Sequence, residues 1–207
     1  DNELYRLVGC TYGWRKGGLV DLNANELRGT SGLGMILIEV TGVKDPRNSD
    51  DITVTFYRSI DQFSLDSKGQ VLPFSSYRID TIDGKPRYSD SVKGSIKNGV
   101  LETKRADVTL PFYGQYMFMH PVIKDMGIRL EIAEDGKTAS GLVTGYYDVK
   151  QYMHWVTSMG ATIPISYFSC PAIYAAGMKI ADGYPDPKTG ECTAISSAFK
   201  INAHAAY

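Results

Sequence analysis

Three cysteines are the residues with the most direct capacity for covalent chemistry. Cys170 stands at the entrance of a predicted helix, and Cys192 opens the predicted last strand, after the loop that follows that helix. A bond between them would close a loop of about twenty residues and stabilise the fold by about 3 kcal/mol. The sequence favours this disulfide over two small buried thiols in a reducing compartment. We therefore expect a periplasmic or extracellular location.

Cys10 is the cysteine left without a partner in this scheme. The preceding Leu7-Val8-Gly9 gives it the short residue pattern of a bacterial lipoprotein processing site. Such a site needs a long apolar run before it, whereas Asp1, Glu3 and Arg6 lie there. We therefore expect Cys10 to be a buried or free thiol and not a lipid attachment point.

Nitrogen and sulfur ligands for metals are present but scattered. His120, His154 and His204 lie far apart, with none of the spacings that zinc sites use. Met117 and Met119 precede His120 closely, but on a strand the two methionines share one face while the histidine points to the other. Core packing is the favoured role of these methionines, and the sequence predicts no cofactor.

Calcium is a separate question, because hard cations bind clusters of carboxylates. Asp182, Asp186 and Glu191 fall in one turn-rich loop that also contains two prolines. Neither this loop nor the polar loop at 45–51 has the full EF-hand spacing. A rigid surface turn is the favoured interpretation, and the three carboxylates are kept as minor calcium candidates.

The 14 tyrosines are the unusual feature of the composition. Tyr12 and Trp14 lie beside cationic residues in a glycine-flanked turn, and Trp155 lies on the predicted helix face opposite Met159. Exposed rings of this kind form sugar or protein surfaces, so Tyr12, Trp14 and Trp155 are the candidate partner or sugar surface. The competing interpretation is that the tryptophans are ordinary core residues, because tryptophan is highly buried on average.

The bulk composition excludes several classes of function. The net charge is −1 over 207 residues, whereas a nucleic-acid binder needs a basic face, so no nucleic-acid partner is expected. The longest apolar run is far too short to cross a bilayer, so no transmembrane segment is expected. Neither a nucleophile elbow nor a phosphate-binding loop is found, since the glycine-rich stretch at 29–34 precedes a strand instead of following one.

Alternating residue patterns predict a mainly antiparallel sheet. Residues 35–43 form a strong strand candidate, and residues 52–60 alternate between apolar and polar positions. Asn98-Gly99 and Asp135-Gly136 each sit between two strand patterns and predict type I′ hairpin turns. These two turns carry the prediction of an antiparallel meander in the middle of the chain.

Two smaller features belong to the same region. Gly141 and Gly145 fall on one face of a predicted strand, which indicates a bend or a close neighbour. Residues 57–61, Tyr-Arg-Ser-Ile-Asp, are echoed at 77–80 as Tyr-Arg-Ile-Asp. The echo is too brief to indicate an internal repeat.

Helical periodicity replaces strand alternation in the last quarter of the chain. Asp148 can cap a helix, and apolar residues at helical spacing predict that helix around 149–159. A second helix is predicted around 171–181, and the chain closes with a strand at 193–203. The predicted fold is α+β: one β-rich domain spanning the whole chain, with a predominantly antiparallel meander, sandwich or curled sheet and one or two helices near the C-terminus.

Three classes of function remain open. We rank first a non-catalytic interaction or structural module, part of a larger bacterial envelope or secreted protein or complex, because no chemical motif is present and the charge is balanced. A protein partner is therefore expected. Second is a small-ligand or carbohydrate binder that uses the sheet or the aromatic residues. Third is a hydrolase with an acid pair, which sequence spacing alone does not locate.

The disulfide gives the first testable prediction. We expect non-reducing peptide mapping of native material to recover Cys170 and Cys192 in one cross-linked pair of peptides, because helix entrance and strand start are expected to meet. Cys10 is the internal control, since it should be alkylated in denaturant without prior reduction. Recovery of Cys170 and Cys192 as alkylated thiols would remove both the disulfide and the inference about location.

Overall fold

Antiparallel strands dominate the structure of this chain. The structure is a computed structural model and describes residues 1–9, 11, 14–18, 35–114, 117–160 and 170–207. Within those ranges, residues 112–114, 117–118, 156, 158–160 and 170–171 are described by their backbone alone. Helices and a large antiparallel sheet are both found there, so the α+β fold predicted from the sequence is confirmed. No helix in these ranges is long and apolar enough to cross a bilayer.

The described helices are α1 Glu3–Val8, α2 Val149–Gly160 and α3 Cys170–Lys179. The described strands are β1 Ile36–Thr41, β2 Ser49–Arg58, β3 Thr81–Ile82, β4 Lys85–Pro86, β5 Asp90–Lys97, β6 Val100–Thr103, β7 Ala106–Thr109, β8 Phe112–Gly114, β9 Met117–Met119, β10 Val122–Ile132, β11 Thr138–Asp148, β12 Gly183–Pro185 and β13 Cys192–His204. The main sheet has the order β1-β2-β5-β6-β10-β11-β13-β12, and β7 pairs with β10 beside it. Strands β3–β4 and β8–β9 form two small separate hairpins.

Strand β2 forms because its residues alternate, as the sequence predicts. Ile52 and Val54 are fully buried, and Phe56 lies with them on the inner face of the sheet. Strand β1 pairs antiparallel with β2 and places Ile38 opposite Phe56. These side chains begin the main core, whose buried members are Ile52, Val54, Phe56, Val92, Ile96, Leu101, Val108, Ile123, Met126, Ile128 and Leu130.

The hairpin predicted at Asn98-Gly99 is confirmed. Asn98 has a φ of 51° and Gly99 a φ of 79°, so both central residues take the positive values of a type I′ turn between β5 and β6. Asp83 and Gly84 repeat this geometry between β3 and β4, with φ values of 51° and 75°. That second turn was not predicted, although Asp-Gly is a recognised signal for it.

The turn type predicted at Asp135-Gly136 is wrong. Gly136 has a φ of 67°, but Asp135 does not share the positive φ that a type I′ turn requires. The N–H of Ala133 donates to the carbonyl of Thr138 at 2.9 Å, so four residues instead of two separate the last paired positions. The N–H of Gly136 also donates to the Ala133 carbonyl, at 3.0 Å. A turn followed by a glycine with positive φ therefore joins β10 to β11. The hydrogen-bonded pairing of the two strands ends at Ala133 and Thr138, which leaves a four-residue loop instead of a two-residue turn.

The main sheet curls until its flanks approach each other. Ser59, which follows β2, forms an antiparallel bridge with Ile79. Two residues earlier, the N–H of Tyr77 donates to the carbonyl of Tyr207, beyond β13, at 3.4 Å. In a flat sheet β2 and β13 would lie about 24 Å apart, at about 4.8 Å per strand, and the registers place the C-terminal ends of the two strands at opposite edges of the sheet. The contacts at Ser59 and Tyr207 and the few residues that join them do not reach across that diagonal. Of the sheet shapes considered from the sequence, the curled sheet is the one observed.

Gly141 and Gly145 have the close neighbours that their positions predict. A Cβ atom on Gly141 would overlap the carbonyl oxygen of Arg129 on β10. A Cβ atom on Gly145 would lie 2.5 Å from Cγ2 of Ile123. The facing strand β10 also has a register shift between Lys124 and Gly127, which bends it at this point. Strand β11 can follow this bend because Gly145, which lies opposite it, carries no side chain.

The helices form where the sequence predicts them, with α2 and α3 close to the expected bounds. Asp148 ends β11 and caps α2, because its Oδ1 accepts a hydrogen bond from the N–H of Gln151 at 3.0 Å. All three helices pack against β13, and α2 also packs against β11, around a second core. The buried members of the second core are Leu4, Val8, Val149, Tyr152, Met153 and Ile195.

The close approach at Gly141 gives a stability prediction. We expect Gly141→Ala to lower the free energy of unfolding by about 1–3 kcal/mol, because β10 and β11 must separate to admit the new methyl group. Gly127→Ala is the matched control on the facing strand, since a Cβ there would meet no atom closer than 3.6 Å. It should change the free energy by less than about 1 kcal/mol. Equal losses for both variants in urea denaturation would contradict this account.

Candidate functional site

Between β2 and β5 the chain leaves the sheet, and we refer to residues 59–89 as the excursion. The excursion first folds back along β2. The N–H of Ile60 donates to the carbonyl of Arg78 at 3.2 Å, and the N–H of Asp80 donates to the carbonyl of Arg58 at 2.8 Å. The two echoed sequence segments therefore pair with each other in antiparallel fashion, so the echo is a pairing signal.

A nearly buried ion pair holds the two segments together. Nη1 of Arg58 donates to Oδ2 of Asp80 at 2.6 Å, and the two side chains are 12% and 9% exposed. Nε of Arg87 lies 3.7 Å from the same carboxylate oxygen. Because little water screens these charges, removing one of them would leave the others poorly compensated. Asp80 therefore holds the base of the excursion to β2.

The reciprocal pair of the echo, between Arg78 and Asp61, lies at the surface. Nε and Nη2 of Arg78 both donate to Oδ1 of Asp61, at 2.9 and 2.6 Å. The Arg78 side chain is 76% exposed. Hydrogen bonds from the Arg78 side chain and backbone lower the pKa of Asp61 below its ordinary value. Water screens this contact, so the same chemistry contributes less here than at Asp80.

The residues that follow β13 fasten the far side of the excursion. The N–H of Tyr207 donates to the carbonyl of Ser75 at 3.0 Å, and Ser75 forms a parallel bridge with Ala206. The rings of Phe74 and Tyr207 lie in contact, with centroids 5.6 Å apart. The excursion is therefore attached at two places, to the end of β2 and to the segment after β13.

Exposed apolar side chains concentrate on the excursion. In the described part of the chain, twelve large apolar or aromatic side chains are exposed, and half of them lie on the excursion or at Tyr207. The N–H of Leu72 donates to the carbonyl of Ser64 at 2.8 Å, and Leu65 forms an antiparallel bridge with Val71. Leu65 and Leu72 therefore lie in two neighbouring paired segments. We refer to these six side chains as the excursion patch: Ile60, Leu65, Leu72, Phe74, Ile82 and Tyr207.

A cleft of about 410 Å³ opens where the excursion rejoins the sheet. One wall is formed by residues 87–90, and the remaining lining comes from Thr109 and His120. Oδ2 of Asp90 accepts a hydrogen bond from the N–H of Thr109 at 2.7 Å. The Tyr88 hydroxyl lies 3.1 Å from Nδ1 of His120. These two contacts join the walls of the cleft and hold them at a defined separation.

A hydrolase of the kind considered above needs two carboxyl groups that converge in a cleft. Asp90 is the single carboxylate among the six described residues that line this cleft. Asp107 and Asp125 lie together at the surface, where Oδ1 of Asp107 accepts a hydrogen bond from the N–H of Asp125 at 2.9 Å. That contact supports the bend in β10, and neither residue lines the cleft. The described acids therefore give the hydrolase hypothesis no positive support.

The structure brings Trp14 and Trp155 together. Their ring centroids are 5.4 Å apart and the rings are nearly perpendicular, at 80°. Both side chains are half-buried and pack against the second core, and Trp155 also contacts Tyr152, with centroids 5.3 Å apart. Tyr12, the third member of the predicted surface, lies outside the described residues. The two tryptophans thus have the contacts of core residues, which is the competing interpretation given above.

Aromatic contacts continue from Trp155 towards the sheet. Tyr152 meets Tyr147 with centroids 6.5 Å apart, and Tyr147 meets Phe199 with centroids 6.2 Å apart. Burial raises the pKa of both Tyr147 and Tyr152 well above the ordinary value, so neither hydroxyl ionises near neutral pH. These tyrosines act as packing residues of the second core and not as acid–base groups.

The calcium candidates have structural partners. Oδ1 and Oδ2 of Asp182 accept hydrogen bonds from the N–H and the hydroxyl of Ser196, at 2.7 and 2.6 Å. Oδ1 of Asp186 accepts from the N–H of Lys188 at 2.7 Å, within the surface turn. Neither contact involves Glu191. Across the described ranges, no three His, Cys, Asp or Glu residues are arranged to hold a metal ion.

The structure does not test the predicted disulfide between Cys170 and Cys192. Cys192 begins β13, is half-buried and forms no disulfide with any side chain that the structure describes. Cys170 begins α3, where the backbone alone is described, and Cys10 lies outside the described residues. Helix α3 and strand β13 are in contact, as the proposed bridge requires.

Sequence reasoning missed the cleft and saw only part of the excursion. Thr109, His120 and residues 87–90 are far apart in the chain. They meet because β7 pairs with β10 and contacts β5, for which no local pattern gives a signal. The excursion had two signals, since the echoed segments pair with each other and Asp83-Gly84 is a hairpin dipeptide. Both were readable in the sequence but carried no indication of function.

Comparison with known proteins gives no assignment for this fold or its surfaces. No protein-family model, no curated protein and no solved structure matches the chain. The excursion patch and the cleft are therefore the features from which a function can be inferred.

The two Arg–Asp pairs of the excursion allow a matched test. We expect Asp80→Asn to lower the free energy of unfolding by about 3 kcal/mol, because the nearly buried Arg58 and its neighbour Arg87 lose their counter-charge. Asp61→Asn makes the same chemical change in the exposed pair and should cost much less. Urea denaturation of both variants measures the difference. If the two losses were equal, the Arg58–Asp80 pair would not be the anchor of the excursion.

Proposed function

We propose that the chain is a non-catalytic interaction module, one part of a larger envelope or secreted protein or complex, and that the excursion patch meets its partner. One observation carries the proposal: half of the exposed large apolar side chains in the described part of the chain lie on the excursion or at Tyr207. Apolar side chains scattered singly over a surface need no explanation, whereas a concentration of them is typical of an interaction site.

The attachment of the excursion supports this role. A flexible loop that orders on binding loses conformational entropy, and that loss reduces the affinity. The excursion is held by the Arg58–Asp80 ion pair at its base and by backbone hydrogen bonds between Ser75 and Tyr207 at its far side. Phe74 and Tyr207 also contact each other before any partner arrives. A patch built in this way is preorganised for binding.

The charge of the excursion indicates the chemistry of the partner. It contains four acidic and four basic residues, so its formal net charge is zero. Electrostatic steering therefore has little to act on, and a charged polymer is not the favoured partner. A protein surface with an apolar centre and an uncharged rim is the partner that this patch fits. The charged residues are Asp61, Asp66, Lys68, Arg78, Asp80, Asp83, Lys85 and Arg87.

The proposed location depends on different residues. An envelope or extracellular site is supported by the expected Cys170–Cys192 bond and by the absence of any charge pattern for nucleic acid. The peptide mapping described above tests this part alone. Its failure would leave the interaction surface unaffected, because the excursion patch contains no cysteine.

Site-specific photo-cross-linking tests the proposed surface. A photoreactive phenylalanine analogue replaces Leu72 in the excursion patch or, as control, Leu142 on β11. The two leucines are matched in exposure, at 42% and 47%. We expect one defined protein to be cross-linked from position 72 in native material and not from position 142. The partner is then purified, and calorimetry should show binding at least about tenfold weaker for Leu72→Ser, with no change for Leu142→Ser.

Three results would contradict the proposal. The first is the same set of cross-linked products from positions 72 and 142. The second is a purified partner that binds Leu72→Ser as well as the unchanged chain. The third is cross-linking of the chain to itself alone, which would make the surface a contact between copies instead of a site for another protein.

A further inference from the structure

The cleft at residues 87–90 is separate from the excursion patch, and its chemistry indicates a different ligand. We propose that this cleft binds an uncharged, hydroxyl-rich ligand of about monosaccharide size, that is, one sugar unit of a glycan or a free sugar. The inference goes beyond the proposed function, because it requires no protein partner. It is carried by the composition of the lining, the balance of charge and the arrangement of two rings.

Every described residue of the lining is polar. The six described residues are Arg87, Tyr88, Ser89, Asp90, Thr109 and His120, and each of them carries a side chain that can form hydrogen bonds. An apolar ligand would displace water from these groups, at a cost in free energy. A ligand with many hydroxyl groups would instead satisfy them.

The charges of the lining exclude a strongly charged ligand. Arg87 and Asp90 carry opposite formal charges, and Asp80 lies behind Arg87, with an oxygen 3.7 Å from its Nε. An anion attracted to Arg87 would therefore meet two carboxylates, and a cation attracted to Asp90 would meet the guanidinium group. A sugar hydroxyl can both donate and accept, so it matches a site with one donor-only group, one acceptor-only group and several hydroxyls.

The rings of Tyr88 and His120 stack on each other beside the cleft. Their centroids are 6.1 Å apart and their planes differ by 29°. The C–H groups of a pyranose can contact the apolar area of these rings while its hydroxyls reach the polar side chains, because aromatic rings combine apolar area with polar edges. The volume of about 410 Å³ lies at the lower end of the range for small-molecule sites, which fits one sugar unit.

The walls of the cleft are joined before any ligand binds. Asp90 accepts a hydrogen bond from the Thr109 backbone, and Tyr88 is bonded to His120, so segments from separate strands are held at their separation. Binding then requires little ordering of the protein. The same contacts mean that Asp90 is unsuitable for mutation as a first test, since its loss would also disturb β5 and β7.

Titration of the isotopically labelled full chain, followed by backbone amide resonances, tests the proposal. The probes are the methyl glycosides of glucose, galactose, mannose and N-acetylglucosamine, each added separately, with inorganic phosphate and tetramethylammonium as charged comparison probes. We expect at least one glycoside to produce saturable shifts at residues 87–90, Thr109 and His120. Neither charged probe should do so.

Variants of the lining make the test specific. Tyr88→Ala should abolish the saturable shifts, and Tyr88→Phe, which keeps the ring, should bind more weakly than the unchanged chain but measurably. Arg87→Gln should weaken binding about tenfold, because one charge-assisted hydrogen bond is lost. Lys85→Gln is the matched control, since Lys85 is close in sequence and exposed but does not line the cleft; it should bind as the unchanged chain does.

The proposal is overturned if no glycoside gives saturable shifts at the cleft, or if phosphate or tetramethylammonium does so instead. It is also overturned if Tyr88→Ala and Arg87→Gln both bind like the unchanged chain. These outcomes are independent of the cross-linking experiment, because position 72 and the cleft share no residue. Failure of one proposal therefore leaves the other to be judged on its own result.

Discussion

The Arg58–Asp80 ion pair lies where the excursion meets the sheet, and both candidate surfaces depend on it. On one side the chain continues through Ile60 into the excursion patch, and on the other Arg87, which lines the cleft, contacts the same carboxylate. The pair is 12% and 9% exposed, so its attraction is screened little and its loss would leave charge uncompensated. A single carboxylate thus positions two surfaces of different chemistry, the apolar one that we propose for a protein and the polar one that we propose for a sugar.

The curled sheet is the frame on which that ion pair acts. Its inner face is filled by the main core, and the three helices cover the second core at β11 and β13. Close packing at Gly145 allows β11 to follow the bent β10, and the contact between Tyr77 and Tyr207 joins the flanks. The inward side chains are thereby occupied, Trp14 and Trp155 among them. The excursion and its neighbouring cleft are the places where the described chain presents a distinctive surface outward.

Local signals in the sequence predicted the elements well and the contacts between them poorly. Alternation identified β2, Asn98-Gly99 identified the turn between β5 and β6, and Asp148 identified the start of α2, because each signal acts over a few neighbouring residues. Asp135-Gly136 shows the limit of such signals. The same kind of dipeptide forms a longer loop there, because the last pair of the β10–β11 ladder, and not the dipeptide, sets the length. The surface predicted from Trp14 and Trp155 stays a prediction, and the sequence did not show that the two rings would pack against each other and the second core.

The amino-acid sequence by itself determined the class of fold, the two C-terminal helices and the positions of the main strands. These features follow from composition and short-range periodicity, which depend on neighbouring residues and not on the rest of the fold. Only the tertiary structure decided that Arg58 meets Asp80, that Thr109 and His120 meet residues 87–90, and that Tyr207 meets Ser75 and Phe74. Each of these contacts joins residues distant in sequence, and its geometry follows from the register and curl of many strands together. No local sequence pattern encodes the combined register and curl of these strands. The candidate surfaces were therefore visible only in the tertiary structure.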